Sequence, residues 1–145
     1  MDGRRRMAGL LLVLAQAAVA CGGQGSDGAP TDPPAVVEAA DSAGVRQVVL
    51  SDQAARRLGI ETAAVTVDRD GRTMVPYSAV LYDTAGQAWV YTNPEGLVFV
   101  RVKVDVQRAN GETVALSGGL PAGTRVAVVG VPELFGTEAG VGSPE

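Results

Sequence analysis

The sequence predicts an all-β protein, a small β-barrel or roll with one short α-helix. Three observations carry this. From Thr73 to Gly130 the chain is a series of short alternating apolar segments, TMVPYSAV, LYDTAGQAWVYT, LVFVRVKVDV and TVALSGGLPAGTRVAVVG. Each is closed by Gly, Pro, Asn or Asp, the pattern of short strands joined by turns. Within Leu97–Val106, Val98, Val100, Val102, Val104 and Val106 fall on one face, while Leu97, Phe99, Arg101, Lys103 and Asp105 fall on the other. Period-two alternation with branched residues on one face predicts a strand with one buried side.

The N-terminus has the layout of an export signal. Arg4-Arg5-Arg6 is a basic region, and Met7 to Ala20 is an apolar stretch too short to span a bilayer comfortably. It ends Ala18-Val19-Ala20-Cys21. These residues fit the small-residue rule of ordinary signal peptidase. Followed by Cys21, they also fit a bacterial lipobox, although Ala18 stands where Leu is usual. Residues 1–20 are thus expected to be a signal peptide and Cys21 a lipidation site carrying acyl chains. The alternative is a secreted protein with a free thiol. Residues 21–44 contain Gly, Ser, Asp and the prolines Pro30, Pro33 and Pro34 with few large apolar side chains, which predicts a flexible linker. Val36–Ala40 reads as a transient helical turn at most.

The folded domain is expected over 45–135. Val45–Leu50 is a first strand. Ser51 is an N-cap with Asp52 in the positive first turn, and a helix of about two turns runs to Leu58, with Arg56 and Arg57 at its negative end. Gly59 suits the left-handed C′ position and Ile60 packs back on the helix. Ile60–Val67 returns as a strand. Asp68-Arg69-Asp70-Gly71 reads as a solvated turn rather than a calcium loop, because no further oxygen ligands or closing Glu follow. Pro76 lacks an N–H and belongs at an edge or bulge, with a strand continuing through Tyr77–Leu81. Asp83–Gly86, Asn93–Gly96 and Asn110-Gly111 are turns. Thr113–Ser117 and Thr124–Gly130 are the closing strands. Pro132–Gly136 reads as a turn of helix or surface segment, and 136–145 as a disordered tail.

Composition narrows the chemistry. The chain has no histidine and one cysteine, so it carries no disulfide, no Cys/His zinc set and no His-based triad. With no paired carboxylates at useful spacing either, a non-catalytic protein is expected, without cofactor or metal. The formal net charge of −4 becomes −6 once Arg4, Arg5, Arg6 and Asp2 leave with residues 1–20, which speaks against nucleic acid as a partner. Trp89, Tyr91, Leu97 and Phe99, with Tyr77, are the candidates for docking a partner; the aromatics are equally candidates for the core. Arg101 and Lys103 read as a solvated strand face, or as contacts to lipid headgroups or an acidic partner.

Val75-Pro76, Ala79-Val80, Gly86, Trp89-Val90-Tyr91, Phe99-Val100-Arg101, Val104, Gly119–Val126 and Gly130 together resemble the C-terminal part of periplasmic adaptor subunits, the membrane fusion proteins of resistance–nodulation–division efflux pumps. Leu50-Ser51 and Leu58–Thr62 resemble the segment that begins the membrane-proximal part of the same adaptors. In complete adaptors a β-barrel, a lipoyl-like domain and a helical hairpin lie between these segments; here only Asp68–Arg72 does. The resemblance therefore implies the membrane-proximal domain alone. It implies an accessory role in transmembrane transport, with an envelope membrane protein such as a transporter as partner. A small-ligand-binding or structural envelope lipoprotein is the competing expectation.

Overall fold

The computed structural model describes residues 33–39 and 46–141. The expected signal peptide, Cys21, most of the linker and the last four residues lie outside them. In chain order the elements are β1 (Ala35–Ala39), β2 (Arg46–Leu50), α1 (Asp52–Leu58), β3 (Glu61–Ala64), β4 (Thr66–Val67) and β5 (Thr73–Pro76). A 3-10 turn (Tyr77–Ala79) follows, then β6 (Leu81–Tyr82), β7 (Ala88–Thr92), β8 (Val98–Lys103), β9 (Val106–Asn110), β10 (Thr113–Leu116), β11 (Arg125–Val129) and α2 (Val131–Glu138).

The protein is all-β, with two antiparallel sheets. The larger runs β1-β2-β8-β7-β11-β3, with β6 joining β7 alongside β11; the smaller runs β4-β5-β10-β9. The barrel expectation is corrected: among the described strands the sheets do not close, and β1, β3, β4 and β9 remain as edges. Two corners move the chain between sheets. The expected strand Ile60–Val67 breaks at Val65, so β3 and β4 fall in different sheets; the Val segment breaks again at Val104-Asp105, between β8 and β9. At each corner a valine is almost completely buried between the sheets. Corner backbone groups stay paired: Val65 N donates to Thr124 O at 2.8 Å and Val104 N to Ala88 O at 3.0 Å. Strands that bend from one sheet into the next make such corners in two-sheet packings.

The centre of the larger sheet is buried on both faces. On one side Val90, Ala88 and Val126 join Val65, Val75, Val114, Leu116 and the loop residue Leu120 in the core between the sheets. On the other, Tyr91, Phe99, Ala127, Val48 and Leu50 pack under Ala54 of α1 and Val131 and Leu134 of α2. The expected single buried face of β8 is corrected accordingly: Phe99, opposite the valines, is 1% exposed.

Local signals behave as the chemistry predicts. Ser51 Oγ accepts from Ala54 N, and Gly59 is left-handed at φ 62°. Gly59 N donates to Arg56 O, and Ile60 N to Ala55 O, the paired bonds of a Schellman end. Pro76 faces Thr113 of β10 on one side and lies past the end of β4, which covers only Thr73 and Met74, so no ladder bond needs its missing N–H. Asp68 Oδ1 accepts from the amides of Asp70 and Arg72, so this carboxylate closes its own turn. Three expectations are corrected. Tyr77–Ala79 turns instead of continuing a strand. Ala35–Ala39, placed in the linker, is a strand paired with β2. The segment after Pro132 is a helix through Glu138, beyond the start expected for the tail.

Candidate functional site

The densest group of polar side chains sits where α2 lies on the larger sheet. Alternation along β7 puts Trp89 and Tyr91 on the helix side, and the antiparallel register sets Tyr91 opposite Arg101 of β8. Pro132 stands in the first turn of α2, where its missing N–H costs no helical bond. From that start Val131, Leu134 and Glu138 fall on one buried face.

Glu138 is 6% exposed and both its oxygens are engaged. Tyr91 Oη donates to Oε2 at 2.6 Å, and Arg101 Nη2 reaches Oε1 at 2.9 Å. Arg46 of β2 donates to the Glu138 carbonyl at 3.2 Å, which ties down the helix end. The Arg101 guanidinium lies 4.5 Å from the Trp89 ring centroid and 5.5 Å from that of Phe135, distances at which aromatic faces attract a cation. Trp89 Nε1 donates to Asp83 Oδ2 at 2.9 Å. That bond, and then the Gln87 amide, hold the Asp83 carboxyl below its ordinary value. Burial pushes the Tyr91 hydroxyl far above its ordinary 10.0; the hydrogen bond to Glu138 and the carboxylate's charge add to this, and Arg101 opposes it.

Chemically this is a clamp. A base needs a free lone pair aimed at a substrate, whereas Glu138 spends both oxygens on Tyr91 and Arg101, and Tyr91 holds its proton. Among the described residues no buried side-chain nitrogen or oxygen lacks a partner, and no three His, Cys, Asp or Glu side chains converge as metal ligands.

The four docking candidates do not form one exposed patch: Tyr91 and Phe99 share the helix-side core, and Leu97 packs against it. Tyr91 and Phe99 are core residues at 0% and 1% exposure, their rings used for packing under the helices, and are corrected as docking residues. Trp89 is half-buried under Arg101 and pairs with Lys103, at the far end of the strand that Leu97 precedes. Leu97 lines a separate depression of about 300 Å³ with Asp52, Ala55, Arg56, Gly59, Ile60 and Glu61. Tyr77 is exposed on the 3-10 turn. Arg101 is no solvated strand residue: its partner is Glu138, the functional group that sequence reasoning missed. Its signal was the spacing of Val131, Leu134 and Glu138, masked by Gly136 and by a charge on an otherwise apolar face.

No family model, curated protein or solved structure matches the chain.

Proposed function

We propose that this chain is an exported, lipid-anchored, non-catalytic accessory domain that docks on an envelope membrane protein, in the first instance a transporter. The observation that carries the reading is Ala18-Val19-Ala20-Cys21 behind a basic and then apolar leader, since diacylglycerol on the sulfur accounts for the one cysteine of the sequence. Several acyl chains, at about 0.8 kcal/mol per buried methylene, would hold the protein on the extracytoplasmic face of the membrane. The resemblance to the membrane-proximal part of efflux adaptors supports the transporter as partner. The non-catalytic role is supported by the polar cluster, whose groups satisfy one another.

The competing reading, a carrier of a small hydrophobic ligand, asks for an enclosed apolar cavity. Among the described residues, side chains pack into two cores, and the depression beside α1 is lined by Asp52, Arg56 and Glu61 as well as apolar groups, which favours the adaptor reading. The test is palmitate labelling of the wild-type chain and Cys21→Ser, followed by crosslinked capture from native membranes and mass spectrometry. Label confined to the wild type, with stoichiometric recovery of one membrane transporter, is the expected result. Undiminished label in Cys21→Ser removes the anchor, and recovery of lipid without a protein partner removes the adaptor.

A further inference from the structure

We infer that β1 is a detachable strap, which pairs with the domain to hold it close to the Cys21 anchor and releases to let it stand farther off. The inference rests on the reading of Cys21 as the lipidated residue; its structural part does not. Among the described strands β1 is the outermost of the larger sheet and pairs only with β2, in the register Ala35↔Leu50 to Ala39↔Arg46. From Ala35 to Glu38 none of its side chains is fully buried: Ala35 is half-buried, Val36 is 40% and Val37 38% exposed. Beneath it β2 is anchored independently, by Val48 and Leu50 in the core and by pairing with β8. Among the described residues the ties on β1 beyond the ladder are few: half-buried Ala35 packs at the margin of the helix-side core, Gln47 Nε2 donates to Glu38 Oε2 at 3.0 Å, and Ser51 N to Pro34 O at 3.0 Å.

The physical consequence is a strand that leaves at small cost to the rest. Water replaces its hydrogen bonds, its ordering entropy is regained, and little apolar surface is newly exposed. Segments with few buried contacts open separately from the core they border. Covalent geometry then sets two reaches. At about 3.4 Å per residue, Cys21 lies at most about 50 Å from Ala35 with the strap docked, and about 85 Å from Arg46, the first residue of β2, once it releases.

Hydrogen exchange on the intact chain tests the strap. The β1 amides are expected to exchange about 100-fold faster than those of β7, as a locally opening segment does. The double variant Val36→Pro/Val37→Pro removes one inward-facing donor whichever residue supplies it, because successive N–H groups point to opposite sides of the strand. It is expected to leave β7 and β8 protection unchanged. Spin labels on Cys21 and Thr113→Cys in the unlipidated chain should then move to longer distances. Exchange of β1 in step with β7, loss of β7 protection or folding in the proline variant, or an unchanged distance distribution overturns the strap. Loss of the anchor reading shows separately, as palmitate label that survives Cys21→Ser while the exchange pattern stands.

Discussion

A carboxylate withdrawn from water keeps its charge only where partners replace the lost hydration, and Glu138 has a phenol on one oxygen and a guanidinium on the other. Removing one partner strands the other. Arg101→Met is expected to destabilise the fold by about 2–3 kcal/mol, below the value for a fully buried pair because the arginine side chain is 25% exposed. Arg101→Met/Glu138→Met should recover part of that loss, the rest being the cost of a Tyr91 hydroxyl left without its acceptor. A urea double-mutant cycle checks it, and additive effects would mean that the two side chains do not act on each other. Tyr91 adds a pH signature. Its folded pKa is raised above 10.0, so its contribution is complete below pH 10 and is lost as pH rises beyond. Tyr91→Phe should therefore flatten the alkaline limb of the stability curve measured by urea midpoints, and cost about 1–2 kcal/mol at neutral pH by leaving one Glu138 oxygen without its donor.

Elements whose cause is local were readable from the chain; those made by a distant partner were not. α1 is set by Ser51, Asp52, Gly59 and Ile60, each acting within one turn of its own position. Ser51→Ala and Gly59→Ala are each expected to cost about 1 kcal/mol, the first through the lost cap and the second through the left-handed backbone alone, since space is open around Gly59. Thermal melts of the two variants and their combination check this. Gly130 is a different case: besides φ 82°, a Cβ there would meet the Ile60 side chain, so its absence of a side chain is also a packing requirement. β7 was legible because its alternation separates Val90 from Tyr91 without outside help. By contrast, β1 exists because β2 presents an edge to it, and nothing in a Pro- and Gly-rich stretch announces that. α2 was hidden by Pro132 and Gly136, which read as breakers although the proline sits where a helix start tolerates it. The candidate site was half-legible for the same reason: Trp89, Tyr91, Phe99 and Arg101 share a face that period two reveals, but what covers that face comes from residues some forty positions later.

At the scale of the molecule, three layers share one sheet, the smaller sheet packing on one face and the two helices on the other. β7 contributes to both cores, Val90 to one and Tyr91 to the other, through adjacent residues of a single backbone. Loss of either core removes support from the strand on which the other depends. The domain should therefore unfold as one cooperative unit although it has two apolar clusters. Val90→Ala is expected to cost about 2 kcal/mol and Leu134→Ala about 2–4 kcal/mol, each from lost burial plus the cavity left behind. In both variants the near-ultraviolet signal of Trp89 and the far-ultraviolet backbone signal should shift together along urea. If α2 rested on the sheet as a separable cover, Leu134→Ala would lose its helical signal at lower urea than its sheet signal. That splitting would detach the Glu138 clamp from the stability of the sheet, whereas coincident curves make the clamp part of what holds both cores.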